Sequence, residues 1–539
     1  MSPAELAAKG AELAREGRHG EACNAFIAAM SGGVESPGIW FGLAQSMGQL
    51  AFTAPDPAVH EWLRRMAGQT CLPYPMIYPP VMRYLALDPA FGALWRRGHD
   101  LDFEFQPSDL TVLDDPLFAA FAACGPTVAP PLERLLTGVR RTLLGQSDGR
   151  EALRCAVARA AWASEYAFAE SPAETAAVDA LSERIARTGQ VTFNDLANYA
   201  AYRRLHEAPW APQLPTDGWQ GPFEDLIRLA LREPLTEREL GASIADITPF
   251  DDAVSVAVQA QYEANPYPRW VMRAPYRPEP LPETIRTLHP NAPLAGVRWS
   301  ERPDILIAGC GTGIQAIEAA QRHPSGSILA VDLSRASLGY AKRKTLEAGI
   351  ANIVFARGDI NVLDLGENRF DLVEAAGVLH HMGDPVAGWR KLAGMVKPGG
   401  LMFIGLYSRT ARRWLNDIRA RFGQLATAED IRSFRHTIMS QAEPSPLLKV
   451  SDFYSLSECR DLVFHVQETQ FDLPQIEAAL SDLGLRFLGF ALPPDKLAEY
   501  DARFPNDPAR TDLSRWAQLE RDQSDLFIGM YQFWVMKEA

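Results

Sequence analysis

The sequence predicts an α/β domain, built on a doubly wound parallel sheet, that follows an all-helical N-terminal region. From residue 304 onward, short β-rich runs alternate with helical segments, as is typical of a parallel sheet with crossover helices. Before residue 250, apolar residues instead recur at intervals of three and four, which is the helical period. The 539 residues are enough for two or three separate hydrophobic cores.

The first helices show a weak repeat. Residues 4–30 predict two helices with a break at Gly17, and adding a 34-residue period predicts the large aromatic found at Trp40. The small and large packing positions of a tetratricopeptide repeat are filled by Gly10, Leu13, Ala22, Phe26 and Ala29. One and a half repeats cannot bury a solenoid core. We therefore expect a tetratricopeptide-like cap over 1–55 on an all-helical domain over 56–250, with an ordinary helical hairpin as the alternative.

The strands of the C-terminal region can be read in order. Five β-rich runs are ILIAG, SILAVDL, IVFARGD, RFDLVEAAGV and GGLMFIGLY, and two more close the chain, RFLGFAL at 486–492 and LFIGMYQFWVM at 526–536. The α/β domain is thus predicted over 304–539, with a helical insertion at about 408–473 after the fifth strand. A Pro-rich linker or flap is predicted over 251–303.

The composition limits the classes of partner. A net charge of -14 disfavours nucleic acid and anionic membranes, because binding to either depends on Lys and Arg. The six cysteines form no C-x-x-C pair, so we expect neither a metal site nor disulfides. Since there is no signal-like N-terminus and no apolar run of about 18 residues, we expect a cytoplasmic protein.

A glycine loop is the strongest motif. Gly309, Gly311 and Gly313 follow the first strand and open a helix, where glycine permits positive φ and a close approach of the backbone to a ligand. A nicotinamide dinucleotide loop would place its third glycine at 314, which is Ile314. The observed spacing fits instead a loop beneath a small nucleoside without a pyrophosphate.

Two acidic residues at the next strand ends agree with a nucleoside site. Asp332 ends the second strand, where a carboxylate can accept both ribose hydroxyls, and Asp359 ends the third, in place to accept from an adenine amine. Leu333 and Ile360 are placed to sandwich the ring. Three strand ends in the right order predict an adenosyl-binding site.

With these residues, the sequence resembles the class I methyltransferases, and more narrowly the bacterial type fused to an N-terminal tetratricopeptide-like region. The similar stretches are QYEANPYPRW, ILIAGCGTG, AVDLSRASLGYAKRK, GVLHHMGDPVAGWRKL, KPGG and IGLYS. The resemblance implies a Rossmann-like, seven-stranded fold, S-adenosyl-L-methionine as methyl donor and no obligatory metal. Many members carry an acid where this chain has Ile307, so Gln315 or Glu374 are the candidates for binding the methionine amino group.

The segment after the fourth strand supplies the catalytic candidates. It reads Glu374-Ala-Ala-Gly-Val-Leu-His380-His381 and lies at the carboxyl edge of the sheet. His381 is a candidate general base and Glu374 a second catalytic candidate, although the histidine pair can equally serve only to pack the loop. The predicted substrate residues come from the flap and from this edge: Tyr262, Tyr267, Arg269, Trp270, His380 and Tyr407. A stiff linker packed on the sheet explains the flap residues equally well.

Three functions compete. The leading hypothesis is methylation of a protein or peptide side chain, because tetratricopeptide-like helices usually present a surface to another polypeptide. The second is methylation of a small metabolite. The third, a catalytically inactive scaffold, is disfavoured by the intact Gly311, Asp332 and Asp359.

Overall fold

The computed structural model describes residues 1–126, 128–146, 149–268, 270, 278–425 and 427–538. The chain forms two compact units. The first contains Met1–Leu235, Arg269–Pro275 and Ala426–Leu462, and the second contains Thr236–Pro268, Tyr276–Leu425 and Val463–Ala539. Residues 426–462, inside the predicted insertion, thus belong to the helical unit.

The described part of the first unit is helical, as predicted. Serine, threonine and aspartate begin many of its helices; Ser171, for example, begins α11 with a capping box to Glu174, and Gly189 ends it in the left-handed conformation. The N-terminal helices are α1 Pro3–Arg15, α2 His19–Ser31, α3 Pro37–Gly48, α4 Pro57–Ala67, α5 Tyr74–Leu85, α6 Pro89–Arg97, α7 Leu110–Leu113, α8 Pro116–Ala122, α9 Pro130–Leu144, α10 Glu151–Ala163, α11 Pro172–Thr188, α12 Phe193–Ala200 and α13 Pro222–Ile227. Their apolar faces enclose one continuous core.

The first three helices pack through Phe26 of α2. A Cβ added at Gly10 of α1 would lie 2.8 Å from the Phe26 ring, and one added at Gly42 of α3 would lie 2.6 Å from it. Two glycines therefore let three helices approach around one buried aromatic ring. The helices flank Gly17 as predicted, whereas a tetratricopeptide repeat stays a prediction.

The second unit is built on a seven-stranded sheet. Its strands are β1 Asp304–Ala308, β2 Ser327–Asp332, β3 Ile353–Arg357, β4 Phe370–Ala376, β5 Val396–Leu406, β6 Leu485–Phe490 and β7 Tyr531–Lys537. The order is β3-β2-β1-β4-β5-β7-β6. The first five strands are parallel, and β7 pairs antiparallel with both β5 and β6. This confirms the predicted Rossmann-like sheet of seven strands.

The last strand begins later than the sequence predicted. β7 starts at Tyr531, whereas the apolar run begins at residue 526. Leu526 and Phe527 are buried, and the Phe527 ring lies 4.7 Å from that of Phe490. Leu526 and Phe527 therefore pack into the core before the strand begins, whereas Ile528 is exposed.

Helices cover both faces of the sheet. The helices that lie wholly within this unit are α15 Ala253–Ala264, α16 Leu281–Leu288, α17 Ile314–Arg322, α18 Arg335–Glu347, α19 Pro385–Met395, α20 Arg413–Phe422, α23 Leu473–Leu483, α24 Pro494–Arg503 and α25 Leu513–Asp522. Of the remaining three, α21 Ala428–Met439 lies in the first unit, while α14 Glu233–Ala242 and α22 Leu456–Phe464 run across unit boundaries. In the described part of the chain, no helix has the length and apolarity needed to cross a membrane.

Candidate cofactor and active site

The glycine loop lies between β1 and α17 and has the backbone that its sequence predicts. The φ angles of Gly309, Gly311 and Gly313 are 72°, 50° and 86°. A Cβ at Gly311 would lie 2.6 Å from the carbonyl oxygen of Tyr267, and one at Gly313 would lie 2.5 Å from the Cβ of Ala341. Any side chain here would therefore force the surrounding backbone apart.

Asp332 joins this loop to the end of β2. Its carboxylate oxygens accept hydrogen bonds from the backbone N–H of Gly311, at 2.8 Å, and of Ser334, at 2.9 Å. Burial raises the pKa of this carboxyl group against the opposing effect of those hydrogen bonds. The backbone N–H of Leu333 also bonds to this carboxylate, which has about four acceptor positions in all, so the group can still accept from a ribose hydroxyl.

The end of the pocket that is predicted to hold adenine is formed after β3. Asp359 is buried, and its carboxylate accepts the backbone N–H of Asn361 at 2.9 Å. The Asn361 side-chain amide donates to the hydroxyl of Ser255 at 3.0 Å, which ties this turn to α15. Leu333 and Ile360 also line the pocket.

These groups line one cavity of about 220 Å³. Six of the seven predicted cofactor residues line it: Gly309, Gly311, Asp332, Leu333, Asp359 and Ile360. Gly313 lies one turn away at the start of α17, where it permits the close contact with Ala341. The three predicted strand ends thus meet in one pocket.

The predicted flap contributes a wall of this cavity. Ser255, Val258 and Tyr262 lie on one face of α15 and line the pocket, followed by Tyr267 and Pro268. The hydroxyl of Thr312 in the glycine loop donates to the carbonyl of Pro268.

The two other predicted flap residues have different outcomes. Arg269 lies outside the described residues. Trp270 is half-buried, groups with the first unit and is not among the described residues that line the pocket.

His381 lies at the acceptor side of the pocket, in a single 3-10 turn after β4. Its Nδ1 is 2.7 Å from the backbone carbonyl of Gln467. A carbonyl only accepts, so Nδ1 carries the proton and, in the neutral ring, Nε2 carries the lone pair. The position and tautomer both suit a general base.

A second histidine packs on the first. The His465 ring stacks on His381 with centroids 3.6 Å apart, and its Nδ1 accepts the backbone N–H of Gln467 at 3.0 Å. Its Nε2 lies 3.1 Å from the Tyr262 hydroxyl. The backbone of one residue, Gln467, therefore fixes both histidine rings, one through its carbonyl and the other through its N–H. Sequence reasoning gave His465 no role, because it lies 84 positions from His381 in the chain.

His380 lies behind the pocket and does not line it. It is fully buried, and burial holds the pKa of its imidazole well below the ordinary range. Its ring centroid lies 3.9 Å from that of Tyr407, which does line the pocket. His380 was predicted as a substrate residue, but it is instead a neutral packing partner of Tyr407.

Tyr407 also carries a cation on its ring. The Arg412 guanidinium lies 3.5 Å from the ring centroid and pairs with Glu468 at 3.1 Å. Burial alone would raise the pKa of Glu468, but Arg419 and Arg412 outweigh it and lower the pKa to about 2. This buried ion-pair network supports the tyrosine from behind.

Glu374 is placed away from the reacting edge. It is buried on β4 next to Ile307 of β1 and is not among the described residues that line the cavity. Burial raises the pKa of its carboxyl group to about 7, since the favourable charge of Arg322 is too weak to offset it. Gln315, the other candidate for the amino group, does line the cavity.

Comparison with known proteins fits this geometry. Residues 305–400 match the family model of a methyltransferase domain. An uncharacterized protein of Synechococcus sp. is 28% identical over 268 residues, which cover 44% of this chain and 61% of that one. The ubiquinone biosynthesis O-methyltransferase of Paracidovorax citrulli is 30% identical over 165 residues, covering 30% of this chain and 66% of its own. The chain thus spans somewhat less than two thirds of each of these relatives.

Among solved structures, PKMT2 from Rickettsia typhi in complex with AdoHcy covers 48% of this chain and 53% of its own, with 18% identity and a TM-score of 0.37.

The methyltransferase domain and the pocket agree on S-adenosylmethionine as the cofactor. The residues present fit this cofactor. The glycine loop has no room for a Cβ, the Asp332 carboxylate can still accept from a ribose hydroxyl, and Gln315 presents a buried acceptor oxygen. Asp332, Asp359 and the glycine loop would hold the adenosyl group.

Proposed function

We propose that this protein is an S-adenosylmethionine-dependent methyltransferase that methylates a hydroxyl-type acceptor, with His381 as general base. The observation that carries the proposal is that His381, with its tautomer fixed by Gln467, lines the same cavity as Gly311 and Asp332. The bound donor supplies an electrophilic methyl group. An acceptor hydroxyl must lose a proton on methylation, and an imidazole near neutral pH can remove it.

The chain contributes positioning and exclusion of water. Tyr262, Tyr267 and Tyr407 place aromatic surfaces around the acceptor side of the cavity. Exclusion of water strengthens the hydrogen bonds made inside the site. The cavity walls align the acceptor with the donor. The proton leaves the acceptor oxygen for Nε2 of His381, while Nδ1 stays bonded to Gln467.

A small molecule is the favoured acceptor. The reacting groups line a partly open cavity that includes the side chains of Tyr262, Tyr267 and Tyr407, which suits a compact, partly apolar substrate. The curated relatives named as ubiquinone biosynthesis O-methyltransferases support the same chemistry.

A protein side chain is the second candidate. The observation that favours it is the helical unit, which has its own continuous core. The predicted tetratricopeptide-like helices would offer a surface to a polypeptide.

The test is transfer of a labelled methyl group. The purified protein is incubated with methyl-labelled S-adenosylmethionine and a cell extract separated into small-molecule and protein fractions. We expect label in the small-molecule fraction, and none with an Asp332→Ala variant, which loses the ribose contacts. Label in the protein fraction alone would replace the first candidate with the second, and label in neither would reject the proposed function.

A further inference from the structure

Gln315 carries a buried hydrogen-bond acceptor that no described residue satisfies. It lies in the first turn of α17, and its Nε2 donates to the carbonyl of Ala376 at 3.3 Å. Because that carbonyl can only accept, the amide orientation is fixed and the other atom is the oxygen Oε1. Oε1 is buried without a hydrogen-bond partner among the described residues. A buried acceptor without a hydrogen bond destabilises the folded protein unless a ligand supplies the missing donor.

The position of Gln315 tells which part of the donor would meet it. The sheet order β3-β2-β1-β4 places Asp359 at one end of the cavity and Asp332 beside it. Gln315, bonded to the end of β4, lies at the opposite end. If the two carboxylates hold the adenosine, the group that reaches Gln315 is the amino-acid part of the donor.

The chemistry of that part selects a single group. It carries one ammonium, which only donates hydrogen bonds, and one carboxylate, which only accepts them. The amide oxygen can therefore bind the ammonium but not the carboxylate. Ile307 on β1 offers no acid for this purpose, and Glu374 beside it does not line the cavity.

We propose that Oε1 of Gln315 accepts a hydrogen bond from the ammonium group of the methyl donor and selects ligands that carry it. This inference rests on the proposed function, because it assumes that the cavity binds an adenosyl sulfonium. In this pocket a neutral amide, and not a carboxylate, would bind the ammonium group of the donor.

The test compares three ligands by calorimetry, so no acceptor or activity is needed. The ligands are S-adenosylhomocysteine, its analogue with hydrogen in place of the amino group, and 5′-methylthioadenosine, which lacks the amino-acid part. Gln315→Leu should bind S-adenosylhomocysteine about 10- to 100-fold more weakly than the natural chain, as for loss of a hydrogen bond to a charged group. It should bind the other two ligands as the natural chain does.

Binding of 5′-methylthioadenosine also shows that the variant is folded, and Gln315→Met provides a second substitution of similar size. Glu374→Gln is the matched control and should leave all three affinities unchanged. An equal loss for all three ligands in both Gln315 variants, no loss for any, or a loss confined to Glu374→Gln would overturn the inference. If the natural chain binds none of the ligands, the proposed function itself fails.

Discussion

At the scale of single residues, the proposed chemistry depends on His381. We expect His381→Gln to reduce methyl transfer by about 100-fold or more, the usual contribution of a general base, while S-adenosylhomocysteine affinity stays within about twofold. The rate of methyl transfer is measured under single-turnover conditions with the acceptor identified by labelling. Calorimetry of the same samples measures the affinity for S-adenosylhomocysteine.

The exposed His436 provides the matched control, since it lies on α21 in the first unit. His436→Gln should behave as the natural chain does. Equal rates for the two variants would show that His381 only packs the loop.

Glu374 gives a pH-dependent contribution to stability. The pKa of its carboxyl group is about 7 in the folded protein against 4.5 when exposed. The stabilisation is complete below pH 4.5 and is lost as the pH rises to about 7, because only the unfolded chain then releases the proton freely. Relative to Glu374→Gln, the natural chain should lose about 2–3 kcal/mol between pH 4.5 and 8.

Scanning calorimetry across this pH range measures the loss. Glu301→Gln, at an exposed glutamate of the same unit, serves as control and should track the natural chain. A constant difference between Glu374→Gln and the natural chain would contradict the prediction.

The sequence identified the donor side of the site better than the acceptor side. Gly311, Asp332 and Asp359 were predictable because each follows a strand, and parallel strands bring their ends to one edge. His465 and Arg412 were not, because their partners His381 and Tyr407 are distant in the chain or share no periodic relation with them. No local pattern encodes such contacts.

At the scale of elements, the glycine loop depends on its contact with the flap backbone. In Gly311→Ala the added Cβ would lie 2.6 Å from the Tyr267 carbonyl oxygen at a φ of 50°. We expect S-adenosylhomocysteine affinity to fall by at least about tenfold, because loop and flap must separate.

Gly349→Ala is the matched control for this loop. It has a φ of 65° but nothing within 4 Å of the added Cβ. It should cost about 1–2 kcal/mol of stability from the left-handed conformation and leave calorimetric affinity unchanged. Similar affinity losses in the two variants would mean that backbone strain, and not the flap contact, controls binding.

The segment 426–462 is held in the helical unit by a buried ion pair. Arg435 of α21 and Glu133 of α9 are 2.6 Å apart and almost wholly buried, and Arg435 also donates to the Phe453 carbonyl. Arg435→Met should destabilise the unit by about 3–5 kcal/mol, since Glu133 is left buried without its cation. The double variant Arg435→Met/Glu133→Leu should recover most of that loss.

Urea unfolding of both variants tests this, with Arg64→Met as control because its pair with Glu61 is exposed and worth at most about 1 kcal/mol. A double variant no more stable than the single one would show that the arginine packs the segment by shape alone.

Strand positions could be predicted from the sequence, whereas the unit to which 426–462 belongs could not. The β-rich runs are short, apolar and separated by helices, so their pattern is local. Membership of 426–462 instead depends on long-range contacts such as Arg435 with Glu133, which are 302 positions apart. The polar residues of α21 do not indicate from the sequence alone that Arg435 is buried.

At the scale of the whole molecule, the two units have separate hydrophobic cores. The helical core is made of residues from the N-terminal region, and the sheet has one core on each face. All the described residues that line the cofactor cavity belong to the second unit. Donor binding should therefore be a property of the second unit.

Separate cores predict two thermal transitions, of which the donor product shifts one. A ligand that binds one folded unit stabilises that unit by about 2.7 kcal/mol at a concentration 100 times its Kd. Saturating S-adenosylhomocysteine should raise the Tm of the unit that contains Gly311 and Asp332 and leave the Tm of the helical unit unchanged. Scanning calorimetry measures the transitions, and hydrogen exchange assigns each to its unit. A single transition that shifts as a whole would show that the two cores unfold together and that the helical unit depends on the donor site.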